Sequence, residues 1–417
     1  MSNLLETLLE ESFAILSAVR NSVPRQYQFP QADNIIKVAI GMRRSGKTYF
    51  LYQTINALLD QGILKEQVLF INFEDDRLSP MNAKTMGALL DEFYSLYPEN
   101  HQRRCYIFLD EIQNVEDWHL TVRRYFDKKN VALYLSGSSA KLLSTEINTN
   151  LRGRSLAIEI LPFSFTEYLT AHGVKSTEGP FGQAAFDQRK QQLLQYLSVG
   201  GFPAVQNMPP FEWREMLQNY IDVTILRDII ERYDVSNINL LKYLTTTLLK
   251  NTAAPFSINK FYNDTKSQGY KVGKDTVHAY LRYLQDAFLI FVIPFYSTSE
   301  REKETRPKKI YAIDFGLINA VGVNPEESYG KLFENLVYLD LRRQHKTVYF
   351  YQTKEGYEID FVSVDPAGKK ELIQVAYEIT DPKTLEREKR ALLSAEEELG
   401  IPGRILTVME YLRELKF

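Results

Sequence analysis

The octet Gly41-Met42-Arg43-Arg44-Ser45-Gly46-Lys47-Thr48 fits the pattern G-x-x-x-x-G-K-[ST] at every fixed position. The chemistry such a segment performs is capture of a triphosphate. Its two glycines let the backbone curl so that consecutive amides point inward at an anion. The Lys47 ammonium can reach the terminal phosphates, and the Thr48 hydroxyl is a hard oxygen donor suited to Mg²⁺. A helix starting near Lys47 aims the positive end of its dipole at the same charge. Gly41, Arg43, Arg44, Ser45, Gly46, Lys47, Thr48 and Tyr49 are the candidate nucleotide-binding residues, with ATP and Mg²⁺ the expected ligands.

Such a pocket needs an acidic partner at the end of a second strand. Residues 105–109 are an apolar run that ends in Asp110-Glu111. Asp110 is placed to hold Mg²⁺ together with Thr48, and Glu111 to polarise a water for in-line attack on the γ-phosphate. The adjacent acids point to hydrolysis rather than phosphoryl transfer to a second substrate.

The elements that must position these groups are legible in the apolar pattern. Continuous apolar runs at 35–40, 68–73, 105–110, 131–137 and 156–161 read as strands buried on both faces. Helical patterns at 46–60, 83–97 and 116–128 separate the first four, so a parallel α/β sheet is expected. Before them, residues 3–20 read as an amphipathic helix that docks on something, stopped by Pro24 and Pro30. The stretch 172–189, rich in Gly, Ser, Gln and Lys, reads as a surface loop or linker. Helical patterns fill 191–291. Strands at 309–314, 347–351, 358–364 and 371–376 then alternate with helices at 329–345 and 382–398.

Composition bounds the rest. A chain of 417 residues has room for two or three domains, and 44% apolar with 25% charged residues excludes wholesale disorder. With 50 basic against 53 acidic side chains, net charge gives no global case for nucleic acid. A single cysteine, Cys105, excludes an internal disulfide and a cysteine-built zinc site. The longest apolar stretch, 287–296, is about half of a membrane span. No signal peptide is visible, so a cytoplasmic location without membrane contact is expected.

At Asp110-Glu111 the sequence resembles the AAA-type ATPases of the broad ASCE P-loop group, over roughly residues 30–170. The resemblance implies further roles. A polar residue ending the next strand senses the γ-phosphate in that family, and Ser138 is the candidate here, where Asn or Thr is usual. Asn72, in the preceding strand, is the candidate to restrain the catalytic Glu. Arg154, with Arg152 nearby, matches the place of an arginine that reaches a neighbouring subunit's nucleotide, which implies a homo-oligomer. The implied catalytic set is Lys47, Glu111, Ser138 and Arg154.

Motifs along nearly the whole chain resemble a more specific family, AAA-type ATPases with a C-terminal domain of unknown function. They are residues 41–47, Leu161-Pro162-Phe163-Ser164-Phe165, Gly200-Gly201-Phe202-Pro203, residues 309–316 and Glu334-Asn335. The implied order is an N-terminal helix (1–25), an αβα P-loop domain (26–170), a linker and helical lid (171–236), a winged-helix region (237–305) and a small α/β restriction-endonuclease-like domain (306–417). In the winged helix, Ser257 and Asp275 start helices. Residues 271–283 form the recognition helix, with Lys271, Lys274, Thr276 and His278 near a DNA groove. Arg301, Lys303, Arg306, Lys308 and Lys309 follow as a basic run diluted by Glu300, Glu302 and Glu304. The last segment resembles the PD-(D/E)xK nucleases, keeping Asp360 and Glu334. Gln374 stands in place of the metal-binding acid and Ala376 in place of the water-orienting lysine. Cleavage is therefore not expected unless Glu371, Glu378 or another subunit substitutes. The implied activity is Mg²⁺-dependent ATP hydrolysis acting on, or regulated by, nucleic acid. A regulatory ATPase working on protein partners and an ATP-dependent nuclease are the alternatives.

Overall fold

The computed structural model describes residues 2–138, 151, 153–174, 182–271, 273–322, 329–378 and 382–415. The chain divides into two compact units, Met1–Leu161 and Pro162–Phe417.

In the first unit the apolar runs become a five-stranded parallel sheet. Its strands are β1 (Ile36–Ile40), β2 (Val68–Asn72), β4 (Cys105–Asp110), β6 (Val131–Gly137) and β7 (Ser155–Glu159), in the order β2-β4-β6-β1-β7. Two short strands, β3 (Met81–Asn82) and β5 (Val115–Glu116), pair apart from it. Every residue of β1 and β6 is buried, which explains runs without alternation. The crossovers are α2 (Lys47–Asp60), α3 (Ala83–Leu96) and α4 (Trp118–Lys128). α3 starts on Asn82, whose side chain accepts from the amides of Lys84 and Thr85. The N-terminal helix α1 (Ser2–Val19) docks on this sheet's core. Leu16 and Val19 join Phe50, Leu51 and Ile55 of α2, with Phe70, Phe108 and Tyr134 from the strands. Asn56 Nδ2 donates to the Leu16 carbonyl, fixing α1 against α2.

The strand order decides where chemistry can occur. β6 lies between β1, which feeds the glycine-rich loop, and β4, which ends in the acids. All three carboxyl ends open on one edge, the place where open α/β sheets bind ligands.

The second unit begins with helices Phe165–Ala171, Gln183–Val199 and Pro210–Val223. The second of these corrects the expected linker over 172–189. Residues 183–189 are helical and Arg189 is buried, while 175–181 lie outside the described residues. Helices Ile238–Lys250, Ile258–Ser267 and Lys274–Asp286 follow. They accompany an antiparallel sheet of β8 (Pro255–Phe256), β10 (Lys308–Ala312) and β9 (Ile290–Ile293), in that order. Ser257 caps its helix by accepting from the Lys260 amide, whereas Asp275 sits inside the first turn of a helix that Gly273 precedes. A second sheet contains β11 (Thr347–Gln352), β12 (Glu358–Val364), β13 (Lys370–Ala376) and β14 (Gly403–Thr407), with only the last pair parallel. β14 and the helix Val408–Glu414 carry no strong apolar run and were not expected. The helix Pro382–Leu399 packs on this sheet through Ala391, Leu392 and Ala395.

Three of the motif segments converge in this unit. Asp314 accepts from the amides of Gly201 (2.6 Å) and Gly316 (2.8 Å), while the Phe163 amide donates to the Gly201 carbonyl at 2.7 Å. Gly200 has φ of 90°, and a Cβ there would overlap the Asp314 carboxylate. These motifs encode close backbone packing. Burial, against the pull of those amides, raises the Asp314 carboxyl to about 7.

Candidate functional site

The loop after β1 closes around its own backbone. Gly41 has φ of 150°, and a Cβ there would run into the Ile160 carbonyl. Gly46, at φ of 101°, turns the chain into α2. Arg25 braces the loop from outside, donating to the carbonyls of Ser45 (2.7 Å) and Leu161 (2.5 Å). No spacing in the sequence marks Arg25, because its role depends on a chain reversal that brings residues 20 and 136 positions away together.

Lys47 is buried at 3% exposure, its Nζ donating to the carbonyls of Gly41 and Met42 at 3.2 Å each. It also lies 3.3 Å from Glu111 Oε1. Thr48 Oγ1 donates to Asp110 Oδ2 at 2.8 Å, so the two expected metal-binding oxygens are neighbours. Ser136, on the intervening β6, donates to the other Asp110 oxygen and accepts from the Glu111 amide at 3.0 Å. Glu111 itself adopts a left-handed conformation, φ of 51°, directly after the strand.

The two acids titrate differently. Burial, then the neighbouring Glu111, pushes Asp110 up to about 6, against Ser136, Thr48 and Lys47. Burial also works against ionised Glu111, but Lys47, Gln113 and Arg43 outweigh it and hold this carboxyl below its usual range. Glu111 is thus the more readily ionised of the two, as suits a proton acceptor.

The structure brings Ser138 to the site through Gln113, whose Nε2 donates to Ser138 Oγ at 3.3 Å and to Glu111 Oε2. Gln113, and not Asn72, therefore touches the Glu111 carboxylate. Asn72 Oδ1 accepts from the Glu74 amide instead. Ser136 and Gln113 escaped the sequence reading; the signal was a polar residue inside an otherwise apolar strand, and an amide two residues after the acid. Arg43 is ion-paired with Glu74, Arg44 is exposed with φ of 66°, and Tyr49 is 54% exposed on the first turn of α2. Arg154 is ion-paired with Asp127, both half-exposed, and Arg152 lies outside the described residues.

The donor set fits a magnesium–triphosphate. Ser45 is fully buried, yet its Oγ has no hydrogen-bond partner among the described residues, an orphan inside the glycine-rich loop. Thr48 and Asp110 supply only oxygen donors, the chemistry Mg²⁺ prefers.

The C-terminal candidates are arranged otherwise than their motifs imply. Lys309 does not belong to the exposed basic run: it is buried, its Nζ 2.8 Å from Glu334, 2.7 Å from Glu358 and 3.0 Å from Asp360. Lys303, Arg306 and Lys308 are each paired with Glu300, Glu302 and Glu304 in turn. Glu371 pairs with Arg404 and Glu378 with Lys190, so neither is a substitute acid beside Asp360. The expected recognition helix is Lys274–Asp286, with Lys271 before it.

A phosphate loop on β1, an acid pair on β4 and a polar strand end between them define a P-loop ATPase domain of AAA type. Residues 33–169 match an AAA domain, and residues 190–327 and 329–411 match two domains of unknown function. An uncharacterized protein of Methanocaldococcus jannaschii is 34% identical over 395 residues, 93% of this chain and 85% of that one. Another, from Haemophilus influenzae, is 30% identical over 362 residues, 87% of each chain. The chain belongs to this family of AAA-type P-loop ATPases with C-terminal domains of unknown function, the family its motifs resemble. Among solved structures, the Walker-type ATPase Paby2304 of Pyrococcus abyssi is similar at a TM-score of 0.43 and 11% identity, covering 75% of this chain and 95% of that one. Among the described residues no helix is long and apolar enough to cross a membrane.

Proposed function

We propose that this protein binds ATP with Mg²⁺ at the Gly41–Thr48 loop and hydrolyses it. The observation that carries the reading is the joined constellation Lys47–Glu111 and Thr48–Asp110–Ser136 at the carboxyl ends of β1, β4 and β6. The loop amides and Lys47 receive the phosphates, Lys47 exchanging its carbonyl partners for phosphate oxygens. Thr48 and Asp110 would hold Mg²⁺, which when bound offsets negative charge on the phosphates. Glu111, kept ionised by Lys47, accepts the proton of the attacking water. Gln113 fixes the Glu111 carboxylate and links it to Ser138, the candidate to report on the γ-phosphate. Arg154 is the candidate to act on a neighbouring subunit's nucleotide, leaving Asp127 when chains assemble. The test is a pair of variants: Lys47→Ala loses ATP binding, whereas Glu111→Gln holds ATP without turning it over. Hydrolysis by Glu111→Gln at the wild-type rate would overturn the role given to Glu111.

A second reading concerns the partner. Helix Lys274–Asp286 buries Val277, Tyr280, Leu281 and Leu284 and exposes Lys274 and His278, with Lys271 exposed before it. Three helices and a three-stranded antiparallel sheet in this order support a winged helix that presents that face to duplex DNA. ATPase activity stimulated by duplex DNA, with a steep salt dependence, is the expected result. Indifference to DNA would favour a switch acting on protein partners.

A further inference from the structure

Glu334, Glu358 and Asp360 form a carboxylate cluster in the second unit, with Asp360 buried and the Glu358 side chain 38% exposed. We infer that the cation of the Glu334–Glu358–Asp360 cluster is the chain's own Lys309 ammonium, delivered from the neighbouring β8-β10-β9 sheet, so that the nuclease-like residues form a locked internal joint. This is independent of the ATPase reading.

Lys309 is 0% exposed and lies within 3.0 Å of one oxygen from each of the three carboxylates. Two of its protons go into hydrogen bonds to Glu334 Oε1 (2.8 Å) and Asp360 Oδ1 (3.0 Å), and the Glu358 carboxylate completes the set as an ion pair at 2.7 Å. Further acceptor positions on Glu334 and Asp360 are also taken. Tyr311 OH donates to Glu334 at 2.7 Å, and the Val375 amide to the second Asp360 oxygen at 3.0 Å. Gln374, at the position of the missing metal-binding acid, accepts from the Asp360 amide and donates to Glu388 at 2.8 Å. The positive charge missing at Ala376 thus re-enters the cluster from residue 309. Burial opposes the Lys309 charge, but Glu334, Asp360 and Glu358 outweigh it and keep the amine protonated.

The next residue of the helix Tyr329–Arg343 completes the joint. Asn335 accepts from the Ala312 amide (2.8 Å) and from Thr252 Oγ1 (3.0 Å), and donates to the Ala312 carbonyl at 3.0 Å. Glu334 and Asn335 therefore both grip β10, one through its lysine and one through its backbone. A divalent ion would have to eject an ammonium already held among three carboxylates.

The test titrates Mn²⁺ into nucleotide-free protein carrying Thr48→Ala, which silences the P-loop, and reads free Mn²⁺ by electron paramagnetic resonance. The expected result is no uptake with Lys309 present, and a gain of about one equivalent in Lys309→Met, with a melting temperature raised by the metal. Uptake with Lys309 present that disappears on adding Asp360→Asn would overturn the inference, as would a folded Lys309→Met variant that ignores Mn²⁺. Should Lys309→Met fail to fold in buffer, refolding on Mn²⁺ addition supports the inference and continued failure overturns it.

Discussion

Both units bury a lysine against carboxylates at a sheet, and the two lysines could hardly be less alike in what they leave open. Lys47 has one carboxylate at 3.3 Å and two carbonyls at 3.2 Å, in a loop whose Ser45 hydroxyl is unsatisfied. Lys309 has three carboxylates at 2.7 to 3.0 Å. Two neutral carbonyls and one longer carboxylate contact can be exchanged for an incoming anion, whereas three short carboxylate contacts cannot be given up without stranding charge. A buried charge by itself therefore says little about function. What separates a site from a joint is whether the partners can be exchanged without leaving a charge stranded.

The same substitution at both positions breaks the comparison most sharply. Lys309→Met leaves three facing carboxylates without a counter-ion, and a loss of about 3–5 kcal/mol is expected for a broken buried pair. Denaturant unfolding reads it. Lys47→Met strands only Glu111, and the main expected effect there is lost ATP binding by calorimetry, with a smaller change in stability. Equal destabilisation at both sites would remove the distinction.

Glu111→Gln acts on the exchangeable site alone. It keeps the size and hydrogen-bonding reach of the side chain while removing the proton acceptor, so turnover is expected to fall by about 10²–10⁴ with ATP affinity retained. A single-turnover assay with a parallel binding isotherm separates the two terms.

Asp314 supplies the third case, a buried carboxylate held chiefly by amides. Its folded pKa, about 7, lies above the unfolded value. The stability it contributes is therefore full below about pH 4 and lost as pH rises toward 7. Asp314→Asn does not titrate and forfeits one acceptor, so it is less stable than wild type in acid. The gap is expected to narrow by about 2 kcal/mol between pH 5 and 8, followed by urea unfolding at each pH.

The contrast between the two lysines was half legible in the sequence. The P-loop and its acids are local patterns, because one strand, one loop and one helix start position all of Gly41 to Thr48. The sheet strands were legible for the same reason: burial on both faces writes a continuous apolar run. Lys309 was not. It sits among Lys308, Arg306 and Lys303, and only the pairing of β10 with β9 turns its side chain inward. Ser136 was missed because it acts through Asp110, a contact across 26 residues that no motif spacing encodes, and Gln113 because it acts only through Glu111. Glycines 200, 201 and 316 were legible as motif letters but not as packing, which needs three distant segments at once.

Arg154 gives the smallest expected effect on the isolated chain. Its partner Asp127 is as exposed as it is, at 47% each, and an ion pair in that setting is worth about 0–1 kcal/mol. Arg154→Ala should therefore leave unfolding nearly unchanged. If the guanidinium serves a neighbour's nucleotide, specific ATPase activity rises with protein concentration in wild type, and Arg154→Ala flattens that rise. A sedimentation run in ATP shows whether the variant still assembles, which separates a lost catalytic contact from a lost interface. Activity that is independent of concentration in wild type and unchanged in Arg154→Ala would leave the residue with Asp127 alone, a solvated pair just ahead of β7.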